Sequence, residues 1–198
     1  FTKQTLDSAD ALGKTADRLG LTTEALQTLH FAATQSGMST EMLEMSMQRF
    51  TRRMAEASSG TGVLKDTFKQ LGISIKDPNG RLRSAESILG DVADKMAAIP
   101  DQGERVKLAF KMFDSEGVKM VNILQGGSKN LAKMRKELIK TGAVMTDDFI
   151  DNAETANDAL DKLSRSVKVG FSAAISGLAP VITDVADSMT DFIALCRE

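Results

Sequence analysis

The chain has no Trp, no Tyr, one Cys, one His and only three Pro in 198 residues. Each shortage removes a class of protein. A single thiol, Cys196, excludes an intrachain disulfide framework and any multi-cysteine zinc site. The lone His30 has no Cys, Asp or Glu at ligand spacing around it, so it reads as an ordinary helix residue. A serine-type catalytic relay would have to use that one imidazole, and no nucleophile elbow is present. There is no basic excess either: 25 Lys and Arg against 27 Asp and Glu leave a net charge of −2, which argues against a dedicated nucleic-acid binder. No secretory signal opens the chain, and with no starting Met and a helical pattern running up to Glu198 it reads as an internal segment of something longer.

Long hydrophobic runs are also missing. The stretch Val169 to Thr183 is uncharged for 15 residues and has many small side chains, bracketed by Lys168 and Asp184. A spanning helix wants about 20, so close helix packing is the better reading and a membrane-active or pore-forming module the alternative. No convergent set of titratable groups points to catalysis, so no enzyme activity, cofactor or metal is expected.

What is present favours helix: few prolines, and many Ala, Leu, Met, Lys and Glu. The eleven Met supply adaptable packing where aromatics are few. We expect an all-α chain: a compact multi-helix body with one small β-hairpin, followed by a long kinked C-terminal helix. Residues 1–72 should form N-terminal helical hairpins, 73–83 a β-hairpin-like turn, 84–140 a helical bundle and 141–198 a long helical arm.

Leu6, Ala9, Leu12, Ala16 and Leu19 share one face of a first helix, Lys3 to Leu19, which Gly20 ends. Leu21-Thr22-Thr23-Glu24-Ala25-Leu26 then starts a second helix, and Met38-Ser39-Thr40-Glu41-Met42-Leu43 repeats that grammar 17 residues later. The echo predicts two helices meeting at similar corners. Leu43, Met47, Phe50 and Met54 mark the third helix, and Leu64, Phe68 and Leu71 a short fourth closed by Gly72. Ile73 to Lys76 and Arg81 to Arg83 alternate around Asp77-Pro78-Asn79-Gly80, which is the basis for the hairpin. Ser84 caps the next helix, and Asp101 to Glu104 has capping-box spacing after Pro100. Val106, Ala109, Phe110 and Phe113 are expected to face inward. A short apolar helix follows Gly117, and Ser128 to Lys140 is amphipathic with a basic outer face.

From Thr146 the pattern changes. Phe149, Ala153, Ala156, Leu160, Leu163, Val167, Phe171, Ala174 and Leu178 recur by threes and fours, as do Val181, Val185, Met189 and Phe192. That is the seam of a long helix or coiled coil, and the first nine are the expected self-association face. Pro180 should kink the rod near Gly177.

Four features bear on chemistry. Gly126-Gly127-Ser128-Lys129 has the wrong order for a phosphate loop and reads as a helix start. Asp77-Pro78-Asn79-Gly80 places its glycine too early for a calcium loop. Arg49, Arg52 and Arg53 cluster on the third helix without the aromatics that nucleic-acid binding would add. Asp147, Asp148 and Asp151, like Asp184, Asp187 and Asp191, read as solvated helix faces, not as paired catalytic acids.

The order of several strings resembles the helical region of phage tail tape measure proteins. They are Leu19 to Leu26 with Ala32-Ala33 and Ser36-Gly37; Leu71 to Ser74 with Asn79-Gly80 and Leu82-Arg83-Ser84; and Ile99-Pro100 with Glu104-Arg105. Phe113 to Gly117, Leu124 to Gly127, and Asn157 to Leu163 leading to Ala179-Pro180 continue it, so the resemblance runs from Leu19 to Pro180. Where that family tends to have Phe-Gly, this chain has Phe113-Asp114, so Asp114 is expected to make the turn by side-chain bonding. The resemblance implies a ruler inside the virion tail lumen that sets tube length during assembly in the host cytoplasm and leaves before the genome passes. It also implies partners: other copies of itself, the tail tube protein, tail tip or baseplate proteins and tail assembly chaperones. No specific nucleic acid is implied, and contact with the host membrane would be transient. A compact body fits a fully stretched ruler poorly, so this region is expected either to pack at the wider tail end or to open into longer helices on assembly.

Overall fold

A computed structural model describes residues 3–169. The described chain is all-α, as expected. In order the helices are α1 (Lys3–Leu19), α2 (Thr23–Gln35), α3 (Thr40–Ser58), α4 (Leu64–Leu71), α5 (Ala85–Ala97), α6 (Gln102–Phe113), α7 (Gly117–Leu124) and α8 (Gly127–Lys140), with a 3-10 turn, Asp114–Glu116, between α6 and α7. Residues 147–169 are helical throughout and form the described part of the arm.

The 17-residue echo becomes two matching corners. Thr22 and Ser39 take nearly the same extended backbone, φ −72°, ψ 154° and φ −73°, ψ 156°. Their hydroxyls accept from Ala25 N (3.1 Å) and Met42 N (3.3 Å), which satisfies a donor that a helix start leaves open. Before each cap the chain closes the previous helix the same way: Leu21 N donates to Ala16 O and Met38 N to Ala33 O across Gly20 and Gly37, both left-handed. Of the capping box only the Asp101 half forms, accepting from Glu104 N at 2.8 Å, while the Glu104 carboxylate turns to Lys107.

One core runs through the body. Phe50 of α3 lies at its centre, 5.3 Å between ring centroids from Phe113 of α6 and 6.5 Å from Phe68 of α4. Leu26, Leu43, Met47, Ile88, Met96 and Met112 close around these rings. Phe110, expected inward, is instead half exposed, whereas Leu108, Ala109, Met112 and Phe113 are buried. On a 3.6-residue period those four share one side of α6, and Phe110 falls to its edge.

The β-hairpin does not form strands. A single antiparallel bridge, Lys76 to Leu82, stands alone, with Asp77 N donating to Arg81 O (2.8 Å) and Arg83 N to Ile75 O (3.0 Å). Strands of three or four residues with no third strand beside them are too short to make a sheet. Side chains hold the turn instead: Asp77 Oδ1 accepts from Asn79 N and Arg81 N, and Arg83 anchors the return on Ser87 (2.7 Å) and Asp91 (2.8 Å).

Asp114 makes its turn with both devices. Its φ is +71°, the only positive value at a non-glycine among the described residues, and its carboxylate accepts from Ser115 N and Arg53. The side-chain bonds were expected; the glycine-like backbone was not, and they hold it in place.

Candidate functional site

The feature that sets this fold apart is how its C-terminal arm is fastened to the body. After α8 the chain turns at Gly142, and Gln27 of α2 grips Met145 on both sides. Its amide donates to Met145 O (2.9 Å) and accepts from Met145 N (2.8 Å), as a neighbouring strand would. Thr146 then caps the arm, accepting from Phe149 N at 3.3 Å. Thr23 Oγ1 donates to Asp147, and Arg135 of α8 forks onto both carboxylate oxygens of Glu24. The arm, the turn and α8 are thereby all pinned to the first turns of α2. The Arg135 guanidinium, donating to Glu24, holds that carboxyl below its usual range.

The arm's first turns pack on α1. Ile150 and Ala153 are buried against Ala9, with Leu6, Leu12, Met145 and Phe149 around them. The approach is close enough that a Cβ at Gly13 would stand 2.8 Å from Ile150 Cγ2. Asn157 is buried between Lys3, whose Nζ donates to it (3.2 Å), and Asp10, to which it donates (3.3 Å). The hydrogen bond from Lys14 holds the Asp10 carboxyl below its ordinary value.

The expected self-association face is therefore divided. Ala153 faces α1 of its own chain, and Phe149 and Ala156 are half-buried. Leu160, Leu163 and Val167 lie on the surface; the last two are each 61% exposed, an uncommon state for large aliphatic groups at seam spacing. Phe171, Ala174, Leu178, Gly177 and Pro180 lie outside the described residues, as does the expected kink. So do Asp184, Asp187 and Asp191, Cys196, and all but the first residue of the Val169 to Thr183 stretch. Among the described residues no helix is long and apolar enough to cross a membrane.

The weighed motifs are occupied by their own structure. The helix start at Gly127 is closed by Asp94 of α5, which accepts from Ser128 N (2.7 Å) and Ser128 Oγ (2.9 Å), so a carboxylate fills the place an anion would take. Asp77 spends its oxygens on its own turn. Arg53 caps α6, donating to Lys111 O (2.8 Å) and to Asp114 (3.0 Å), Arg52 pairs with Glu56 (2.6 Å), and one guanidinium nitrogen of Arg49 is buried. Arg52 and Arg53 are thus engaged within the chain, whereas the buried nitrogen of Arg49 has no hydrogen-bond partner among the described residues. A groove of about 190 Å³ between α2, α5 and α8 is walled by Leu21, Leu29, Leu89 and Leu131. Its charged rim, Glu86 and Arg135, is taken up by Thr22 and Glu24.

His30 has a partner that local spacing hid: Glu44 of α3, 3.1 Å from Nε2. Burial nevertheless pushes the imidazole below its ordinary value, against the pull of Glu44 and Glu41. An unfolded chain then binds the proton more readily than the folded one. Stability is full above the unfolded His value, about 6.5, and falls as pH drops through the depressed folded value. We expect the urea midpoint to decline over that window and the decline to flatten in His30→Gln. An equal slope in both proteins would remove His30 as its source.

No curated protein and no solved structure matches the chain. A family model does: that of the phage-related minor tail proteins, over residues 2–114. The match begins just before α1 and reaches the turn after α6, taking in both corners of the echo and the Phe50 core.

Proposed function

We propose, because the chain belongs to the phage-related minor tail protein family, that it serves as a non-catalytic tape-measure segment of the virion tail. Family membership over residues 2–114 carries this reading. In it the chain lies in the tail lumen, helps set tube length during assembly in the host cytoplasm, and leaves before the genome. Its partners are further copies of itself, the tube protein, tip or baseplate proteins and the assembly chaperones.

Two physical features support it. A helix rises about 1.5 Å per residue, so helical chain length converts to tube length in proportion. The arm leaves the body as a helix whose seam residues beyond Ala156 are uncovered by the rest of the described chain, as a rod that bundles with its copies needs.

The test is an in-frame deletion of a helical block beyond Ala156 in the parent gene, followed by imaging of tails. Tails shortened by about 1.5 Å per residue removed support measurement by the arm. Tails of unchanged length would assign the arm to docking or ejection and end the ruler reading for this segment.

A further inference from the structure

Two stripes of opposite charge, cut to the same spacing, lie on the surface with few of their charges paired inside the fold. On α8, Lys129, Lys133, Lys136 and Lys140 are all exposed and are spaced by four, three and four. They lie opposite Leu131, Met134 and Leu138, the side of α8 turned towards α2 and α5. On the arm, Asp147, Asp151, Glu154 and Asp158 are all exposed and spaced by four, three and four, and Asp161 extends the row. At about 100° per residue this row stands opposite the apolar seam and a quarter-turn from the face on α1.

Ordinary solvated helices mix their signs, so that neighbours three and four apart neutralise one another. These rows do not. Between Lys129 and Lys140 the one acidic residue is Glu137, 3.8 Å from Lys133; between Asp147 and Asp161 there is no basic residue at all. The body compensates the arm row only in part: Lys3 reaches Asp161 at 3.9 Å, and Lys14, bonded to Asp10 at 2.7 Å, also attracts Glu154 and Asp158. No ion pair joins the two rows within the described chain, because α8 and the arm are pinned side by side to α2 with each row turned outwards.

We propose that the lysine row of α8 docks on the carboxylate row of the arm of a second copy of this chain. Four cations meet four carboxylates over twelve residues, about 16 Å of helix. Because four-three-four reads the same in both directions, the register is satisfied with the helices parallel or antiparallel. Each copy carries one row of each sign, so two copies can dock both rows reciprocally as a closed pair, or one row each, repeating from copy to copy as a ring or an open row. It uses the side of the arm away from the seam, so both contacts can coexist, and it does not depend on the tape-measure reading.

Sedimentation velocity of the 198-residue chain at low and high NaCl tests it. Exposed charges are screened over about 10 Å at 0.1 M salt and about 3 Å at 1 M, so the association constant should fall at least about tenfold across that range. Reversing the α8 row (Lys129→Glu, Lys133→Glu, Lys136→Glu, Lys140→Glu) should abolish the salt-sensitive part of the association. Reversing the arm row (Asp151→Lys, Glu154→Lys, Asp158→Lys) should do the same, with Asp147 kept for its bond to Thr23. Mixed together, the two reversed proteins should associate with each other, which also shows that both are folded. The milder pair Lys133→Gln and Lys136→Gln should weaken assembly part-way. A wild-type chain that stays monomeric at low salt overturns the proposal, as does salt-sensitive assembly that survives reversal of either row. Salt-insensitive assembly abolished by Leu160→Ser with Leu163→Ser would give the contact to the seam and likewise overturn it.

Discussion

Replacing Phe50 by alanine should lower the melting temperature of the body by about 6–20 °C. The side chain is fully buried, and its ring meets those of Phe113 and Phe68 from two other helices, so nothing nearby can collapse into the space without moving α4 or α6. Truncations of this kind cost about 3–5 kcal/mol, part of it the cavity left behind. In a chain of this size each kcal/mol moves the midpoint by about 2–4 °C. Phe110→Ala serves as the control, since a half-exposed ring at the edge of α6 should cost well under about 1 kcal/mol. A thermal melt followed by far-ultraviolet circular dichroism reads both. Equal shifts for the two variants would mean that Phe50 is not the centre of the core.

Gly117→Ala should destabilise the protein by about 2–3 kcal/mol, although helix propensity alone favours alanine by about 1 kcal/mol. Gly117 opens α7 with an ordinary helical φ of −62°, so conformational freedom does not explain its presence. Space does. A Cβ there would stand 2.4 Å from Ala109 O, 2.7 Å from Ala109 C and 3.2 Å from Phe110 N. These are backbone atoms of α6 and cannot rotate away, so α6 and α7 would have to part. Gly90→Ala is the opposite case: its nearest neighbour is Ser128 Cβ at 3.9 Å, and the change should stabilise α5 by about 0.5–1 kcal/mol. Urea titrations should move the two midpoints in opposite directions with unchanged slopes. A stabilised Gly117→Ala would show that α6 and α7 are not held this closely.

These two sites mark where reading residues in order succeeds and where it stops. Phe50 was legible, because its spacing with Leu43, Met47 and Met54 draws a helical stripe. The closeness at Gly117 was not, because the atoms it avoids sit on another helix. Phe110 misled for a related reason: an apolar residue on a short helix can belong to the core face or to its rim, and only the neighbours decide. The hairpin misled because alternation and a strong turn describe what two strands could do, while Asp77 and Arg83 offered the same backbone nearer partners.

The arm shows the same division. Its threes-and-fours pattern announced a helix and an apolar seam, yet gave no hint that Asn157 would sit between Lys3 and Asp10, or that Gln27 would grip Met145. Those partners lie more than a hundred residues apart in the chain. His30 looked solitary for the same reason, with Glu44 on the facing helix.

By itself the sequence determined the helices, their caps and corners, the apolar face each would bury and the sign of each charged row. These depend mainly on interactions within about four residues, which local order largely dictates; the rim position of Phe110 and the unformed half of the Asp101 capping box are where it did not. The tertiary structure alone decided which faces met, that Asp94 rather than a ligand would close the start of α8, and that the arm would be tied back along α1 before running free. It also decided that the lysine and carboxylate rows would both end largely on the outside, because α8 turns its other side to α2 and α5 and the arm lays its apolar first turns on α1.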